Sequence, residues 1–599
     1  MKSKNNIGKK AKVVRAGVMK EKKTKPKTGA KDKTTELRLP SGIFKVSRRN
    51  GVSTLNDDGK KINVCDYIAF EANRENDKTD KVSVLVEFTD HQGKTKEASL
   101  PREDFGYPNR LIERLLSLGF CIHDQKLAMS FLSESYQTIP PKRNIRVVNE
   151  PGWQNVDAGN LKVYVINDKT LTPAGQPCNI ALDESVNAGF TSKGSNKEWS
   201  KQIATKCIGN SRFTLMVCAG LSGPMLDLED APNSGIHING NTKAAKTTCL
   251  EVTRSIFGND DYGSSWNATT GALQETARSR NHGALFLDEI SQCEAKEVSK
   301  AVYDLMNGVN KNRLTPDCKL SSVSRNRMVV ISTGEYSVQE HLQQGGIKVK
   351  PGQLVRLPSI PVSRTKGMFP NLHGETTIGA LAAKLRASCE DNYGTIGLTW
   401  IQHLVDNQVE LRATLPARVR AIQTQLLDSI QLDEPSEGQR DVAKSFASKA
   451  CAGEEAISCG IMPWPEGTAI KAAKVCIRAW HRHEAGEAIK REPFPSIKKY
   501  FSENQKNFVS LGQYNKARKS SVFTHVVDGV KVFLVTRENL EATLFKQFGK
   551  KAVETELKKR DLLVLGSGNR PARQVPIPMK PEIPKPSFYA IRASILTIK

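Results

Sequence analysis

An apolar stretch, Ser234-Gly235-Ile236-His237-Ile238-Asn239, runs directly into Gly240-Asn241-Thr242-Lys243-Ala244-Ala245-Lys246-Thr247-Thr248, and an amphipathic helix opens where that loop ends. Few local patterns restrict a fold as tightly. A strand, a tight loop with backbone N–H groups turned inward and a helix N-terminus aimed at the same point together make a cradle for phosphate. In such a cradle Lys246 reaches the β and γ phosphates and Thr247 holds Mg²⁺, so Mg²⁺ and ATP are the cofactors expected. Ala245 stands where the common pattern has Gly before the Lys. A Cβ at a position that favours positive φ costs on the order of 1 kcal/mol, which strains the loop without forbidding it.

Two further apolar runs follow at useful distances. Ala284-Leu285-Phe286-Leu287-Asp288-Glu289 reads as a buried strand whose acids emerge at its C-terminal end, where open α/β sheets bind their ligands. Asp288 suits the magnesium ion, with Thr247. Glu289 suits the base that activates water, which hydrolysis needs and simple nucleotide binding does not. Arg327-Met328-Val329-Val330-Ile331-Ser332-Thr333-Gly334-Glu335 is a third strand, and Ser332 or Thr333 at its end could sense the γ-phosphate. Between them lies a segment of hairpin chemistry carrying Lys311, Arg313 and Lys319, which could contact the phosphates of single-stranded DNA, form a solvated loop, or offer Arg313 to a neighbouring subunit's phosphate. Arg356 is the preferred arginine for reaching a neighbouring subunit's nucleotide.

The alternation of apolar strands and amphipathic helices over 199–375 predicts a P-loop α/β core with a parallel sheet. Residues 38–150 alternate with period two and predict a β-rich domain, with a connecting β segment over 151–198. Helical periodicity dominates 376–500. Residues 501–599 carry a hairpin signal at Asp528-Gly529, two short helices and a last strand, which suggests a winged-helix-like module. There Arg537, Lys558, Lys559 and Arg560 could face duplex DNA, or the module could simply buttress its neighbours.

The net charge of +26 points to a polyanionic partner, and nucleic acid is the commonest. Part of it belongs to a basic arm over 1–37, read as disordered: residues 1–35 hold thirteen lysines and arginines against two acids. The twelve cysteines occur without a CxxC pair, which predicts a reducing cytoplasm and disfavours structural zinc. His481 and His483 are two residues apart on a helical segment and so point to different faces. No run approaches the ~20 apolar residues of a membrane span.

The loop at 240–248, with Gly152-Trp153, Trp266-Asn267-Ala268-Thr269, Leu287-Asp288-Glu289, Ser332-Thr333-Gly334-Glu335, Gly352-Gln353-Leu354-Val355-Arg356-Leu357, Leu372-His373-Gly374 and Trp464-Pro465-Glu466-Gly467, resembles the DUF927 family. These are P-loop proteins of phages, plasmids and integrative elements, often tied to replication and sometimes fused to primases. The resemblance runs from about Phe44 to Ile595. It implies an AAA+ or superfamily-three-like ATPase ring, similar to minichromosome-maintenance proteins, which also carry Ala at the place of Ala245. The basic arm and Ala245 depart from the family pattern, and no primase active site is legible.

The leading expectation is a homo-oligomeric, hexameric, ATP-dependent DNA helicase or translocase of mobile-element replication, with a primase or replication protein as partner. The second is an ATP-dependent DNA-bound switch or assembly factor that does not unwind, and the third a non-hydrolysing DNA-binding scaffold.

Overall fold

In the computed structural model, residues 34–156, 161–167, 169–174, 176–308, 326–432, 434–491, 493–516, 522–578 and 584–598 are described. They divide into two units, one running to Asn149 and regaining Asn179–Asp183, the other comprising the rest.

The first unit holds a four-stranded antiparallel meander, Thr35–Leu39, Gly42–Ser47, Gly51–Leu55 and Lys61–Cys65. Its first strand begins inside the span expected to be an arm, at Thr35, and runs past that span's end at 37. A second sheet orders Ile180–Leu182, Arg143–Val148, Ile68–Asn76, Val82–Thr89 and Thr95–Pro101. Along Val82–Thr89 the residues Val84, Val86 and Phe88 are buried and their neighbours less so, because successive side chains leave a strand on opposite faces. That face packs on Phe131 and Leu132 of the helix Gln125–Thr138. Ile180–Leu182 pairs parallel with Arg143–Val148, so part of the connecting segment completes this sheet.

The second unit is built on five parallel strands in the order Ser264–Ser265, Gly283–Asp288, Met328–Gly334, Ser234–Asn239, Ser359–Pro361. All six residues of Ser234–Asn239 and all seven of Met328–Gly334 are buried, as expected of strands covered on both faces. Met328–Gly334 lies between Ser234–Asn239 and Gly283–Asp288.

Helix Ser211–Glu229 is buried nearly all round and sits between the sheet and the helices Gln408–Ile430, Glu437–Ser458 and Thr468–Arg491. Ile236 and Ile238 of the sheet therefore share one core with Trp400, Phe446 and Trp480. The boundary near 375 marks a change of secondary structure and not a break between cores. Tryptophans staple this core through their indole N–H groups: Trp153 donates to Pro224 O, Trp199 to Ser255 Oγ, Trp400 to Leu221 O and Trp464 to Ala204 O, all at 2.8 Å.

Towards the C-terminus Phe523–Val527 and Val530–Val535 form the expected hairpin, with Asp528 and Gly529 both at positive φ. The short helices Arg537–Ala542, Leu544–Phe548 and Lys550–Lys559 pack with Ser587–Arg592 and with Phe494, Ile497 and Phe501 of the helix Pro493–Asn504. The winged-helix reading remains a description of this order of elements.

Candidate nucleotide site

The loop leaves its strand at Gly240, whose φ of 151° suits glycine, and an added Cβ there would lie 2.3 Å from Val362. Two residues without that freedom, Lys243 and Ala245, take left-handed conformations with φ of 65° and 64°. Ala245 is the residue immediately before the helix Lys246–Arg254. The strain anticipated from its Cβ is thus present at that residue, and Lys243 adds a second. The loop is braced from outside, where Met368 N donates to Ala244 O at 3.0 Å and Gly367 passes close to Ala244.

Lys246 is 6% exposed, and its ammonium donates to Gly240 O at 2.7 Å and Asn241 O at 2.9 Å. Burial pulls its pKa below the ordinary lysine value, against the opposing pull of Glu289, Glu335 and Asp288. Thr247 Oγ1 donates to Asp288 Oδ1 at 3.2 Å, and Thr333 Oγ1 donates to the same oxygen. Glu289 N donates to Thr333 Oγ1 at 3.3 Å. Lys246, Thr247, Asp288, Glu289 and Thr333 therefore meet at the C-terminal ends of three neighbouring strands. The 3.2 Å between Thr247 Oγ1 and Asp288 Oδ1 fits neighbouring corners of an octahedron around Mg²⁺, which lie roughly 3 Å apart when each oxygen is ~2.1 Å from the ion. Glu289 has a φ of 50°, and its carboxylate accepts from Ser291 N at 3.3 Å and Ser291 Oγ at 2.6 Å. Thr248 is buried in the first turn of the helix.

Other expected residues stand elsewhere. The Ser332 hydroxyl is fully buried and engaged by Trp266 Nε1 at 2.8 Å and His237 Nδ1 at 2.9 Å, so of the two sensor candidates Thr333 alone touches the acid pair. Arg356 is exposed at the end of Pro351–Arg356 and bonded to Asn307. The next residue, Leu357, lies beside Gly235 at the start of the P-loop strand, so Arg356 is remote from its own chain's phosphate cradle. Lys311, Arg313 and Lys319 lie outside the described residues. Of the terminal cations, Arg537 is paired with Glu541 at 2.7 Å, and Arg560 is paired with Glu556 at 2.6 Å and stacked over Phe494.

A cleft of about 600 Å³ opens at the loop, where Asn241, Thr242 and Lys243 face Glu335, Tyr336, Arg364, Arg482 and His483. The last four were not singled out for this site by their sequence context. Glu335 closes on the loop by accepting the Thr242 hydroxyl. Arg482 comes from the helix Thr468–Arg491, more than two hundred residues downstream, and no local pattern tied it to the loop.

Residues 40–323 match the family model described as Domain of unknown function (DUF927). The match covers a little under half of the chain. That region begins near the expected Phe44 but ends before the sensor strand, Arg356 and the helices, so it includes the loop and the acid pair and is shorter than the resemblance expected to reach Ile595. A solved structure described as "SCCmec type IV Cch - active helicase" is similar to this chain with a TM-score of 0.61 at 17% identity, covering 93% of this chain and 99% of that one. At that identity the likeness is one of fold. NtrX from Brucella abortus in complex with ATP aligns over 62% of this chain and 92% of its own at 11% identity, with a TM-score of only 0.19. Curated proteins include no match. Among the described residues no helix is long and apolar enough to cross a membrane.

Proposed function

We propose that this chain is an ATPase that moves DNA, working as a ring of identical subunits in replication of a mobile element. The observation that carries this reading is the meeting of Thr247, Thr333 and Glu289 around the Asp288 carboxylate beside the Lys246 loop. Thr247 and Asp288 would hold a magnesium ion, which neutralises charge on the phosphates. Lys246 would leave Gly240 O and Asn241 O for the phosphate oxygens, and the helix N-terminus behind it favours the same negative charge. Glu289 would take the proton from the attacking water, with Thr333 fixing its backbone and the acid beside it. Arg356, exposed and distant from its own loop, is suited to a neighbour's phosphates, where a fixed guanidinium would couple hydrolysis to subunit contact. The fold shared with a protein described as an active helicase supports unwinding as the outcome.

The experiment is ATP turnover by the purified chain with single-stranded DNA, beside Lys246→Ala. Turnover lost in the variant supports the reading; no turnover in the wild type, or an unaffected variant, removes it. The alternative is a nucleotide-gated switch that hydrolyses slowly. A strand-displacement assay separates them, because the switch displaces nothing.

A further inference from the structure

A histidine sits in the middle of the P-loop strand, fully buried, in a position the nucleotide chemistry above does not use. His237 Nε2 is 2.8 Å from Tyr336 O, and a carbonyl can only accept, so Nε2 carries the proton. Burial pushes its pKa down to about 4, so the ring is neutral and Nδ1 is an acceptor. Ser332 Oγ, 2.9 Å from Nδ1, donates to it, while the Trp266 indole donates to Ser332 at 2.8 Å. Every donor in this chain points one way, from Trp266 through Ser332 and His237 to the Tyr336 carbonyl.

Both ends are attached to the site. Trp266 N donates to the backbone carbonyl of Asp288 at 3.2 Å. Tyr336 follows Glu335, which accepts from Thr242 on the loop, and Gly240 N donates to Gly334 O at 3.2 Å. Gly334 is what lets the ring through: a Cβ there would lie 3.1 Å from His237 Cε1 and 2.5 Å from Ile290.

We propose that His237 is a positioning residue of the nucleotide site, reaching beneath Gly334 to hold the Tyr336 carbonyl and so setting the turn that follows Thr333 and keeps Glu335 against the loop at Thr242. The inference rests on the ATPase reading and adds to it a link between the acid strand and the loop that involves no contact with nucleotide.

The test compares two amides in the full-length chain. Glutamine extends its amide about as far as Nε2, and asparagine only about as far as Nδ1. His237→Gln keeps a donor for Tyr336 O; His237→Asn keeps the contact with Ser332 and loses the turn. ATPase kcat and KM, affinity for a fluorescent ATP analogue and melting temperature are measured for both. The expected result is a kcat at least about 10-fold lower for Asn than for Gln, with nucleotide affinity and melting temperature alike in the two, since small displacements of positioned groups act chiefly on rate. Equal rates in the two variants overturn the proposal. So does a rate loss that follows melting temperature, because that is simple destabilisation. A wild type without turnover marks failure of the ATPase reading instead.

Discussion

Ala245 holds a left-handed conformation that costs an L-residue on the order of 1 kcal/mol, while glycine in the same place loses more backbone entropy on folding. The two effects nearly cancel. Ala245→Gly is therefore expected to change stability by less than about 1 kcal/mol and to retain turnover, measured by denaturant titration and ATPase assay. A collapse of either would mean that the Cβ has a role beyond occupying strained backbone. Glu289 offers a sharper residue-scale expectation. Glu289→Gln keeps the size of the side chain and removes its basicity, so nucleotide affinity should stay within a few-fold while kcat falls by about 100-fold or more. Ser332 and Thr333 illustrate what adjacent residues can hide. Both are small hydroxyls at a strand end, but a strand turns successive side chains to opposite faces, and only the neighbouring strands decide which face meets Asp288.

At the scale of elements, one carboxylate joins pieces that are far apart in the chain. Asp227, near the end of Ser211–Glu229, accepts from Lys162 at 2.7 Å and Arg412 at 3.2 Å and lies 3.7 Å from both Arg327 and His282. Burial alone would raise its pKa, but Lys162 and Arg327 hold it below the usual carboxylate range. Asp227→Asn leaves Lys162, Arg327 and Arg412 without their shared partner, and because these cations keep part of their hydration a loss of about 1–3 kcal/mol is expected from chemical denaturation. Breaking the exposed pair Arg537–Glu541 with Glu541→Gln should cost less than about 1 kcal/mol by the same measurement. The contrast is one of solvent: water screens the second pair and reaches the first only in part.

For the molecule as a whole, acid sensitivity follows from two buried rings. His237 and His282 both have their pKa pushed down to about 4, first by burial. The unfolded chain binds their protons near pH 6.5 and the folded chain does not, so the folded state loses relative stability as pH falls from about 6.5 to about 4. Above pH 6.5 that contribution is fully present. Each ring is worth at most about 3 kcal/mol across this window. Asp227, whose folded pKa is depressed, adds a further loss at lower pH, as it becomes protonated. Denaturation midpoints at pH 7, 5.5 and 4.5 should fall in that order, and a flat series would contradict the burial of these two rings.

Local pattern alone determined the loop, the acid strand, the sensor strand and the hairpin at Asp528-Gly529, because each depends on residues adjacent in the chain: periodic apolar side chains, turn formers and a helix start. Tertiary structure decided the order of the strands, the choice of Thr333 over Ser332, the ring of His237 beneath Gly334 and the arrival of Arg482 at the cleft. Those depend on which segments pack together across separations from under fifty to more than two hundred residues. Such packing is governed by the shared hydrophobic core and by hydrogen-bond satisfaction inside it, and neither is encoded in a window a few residues wide.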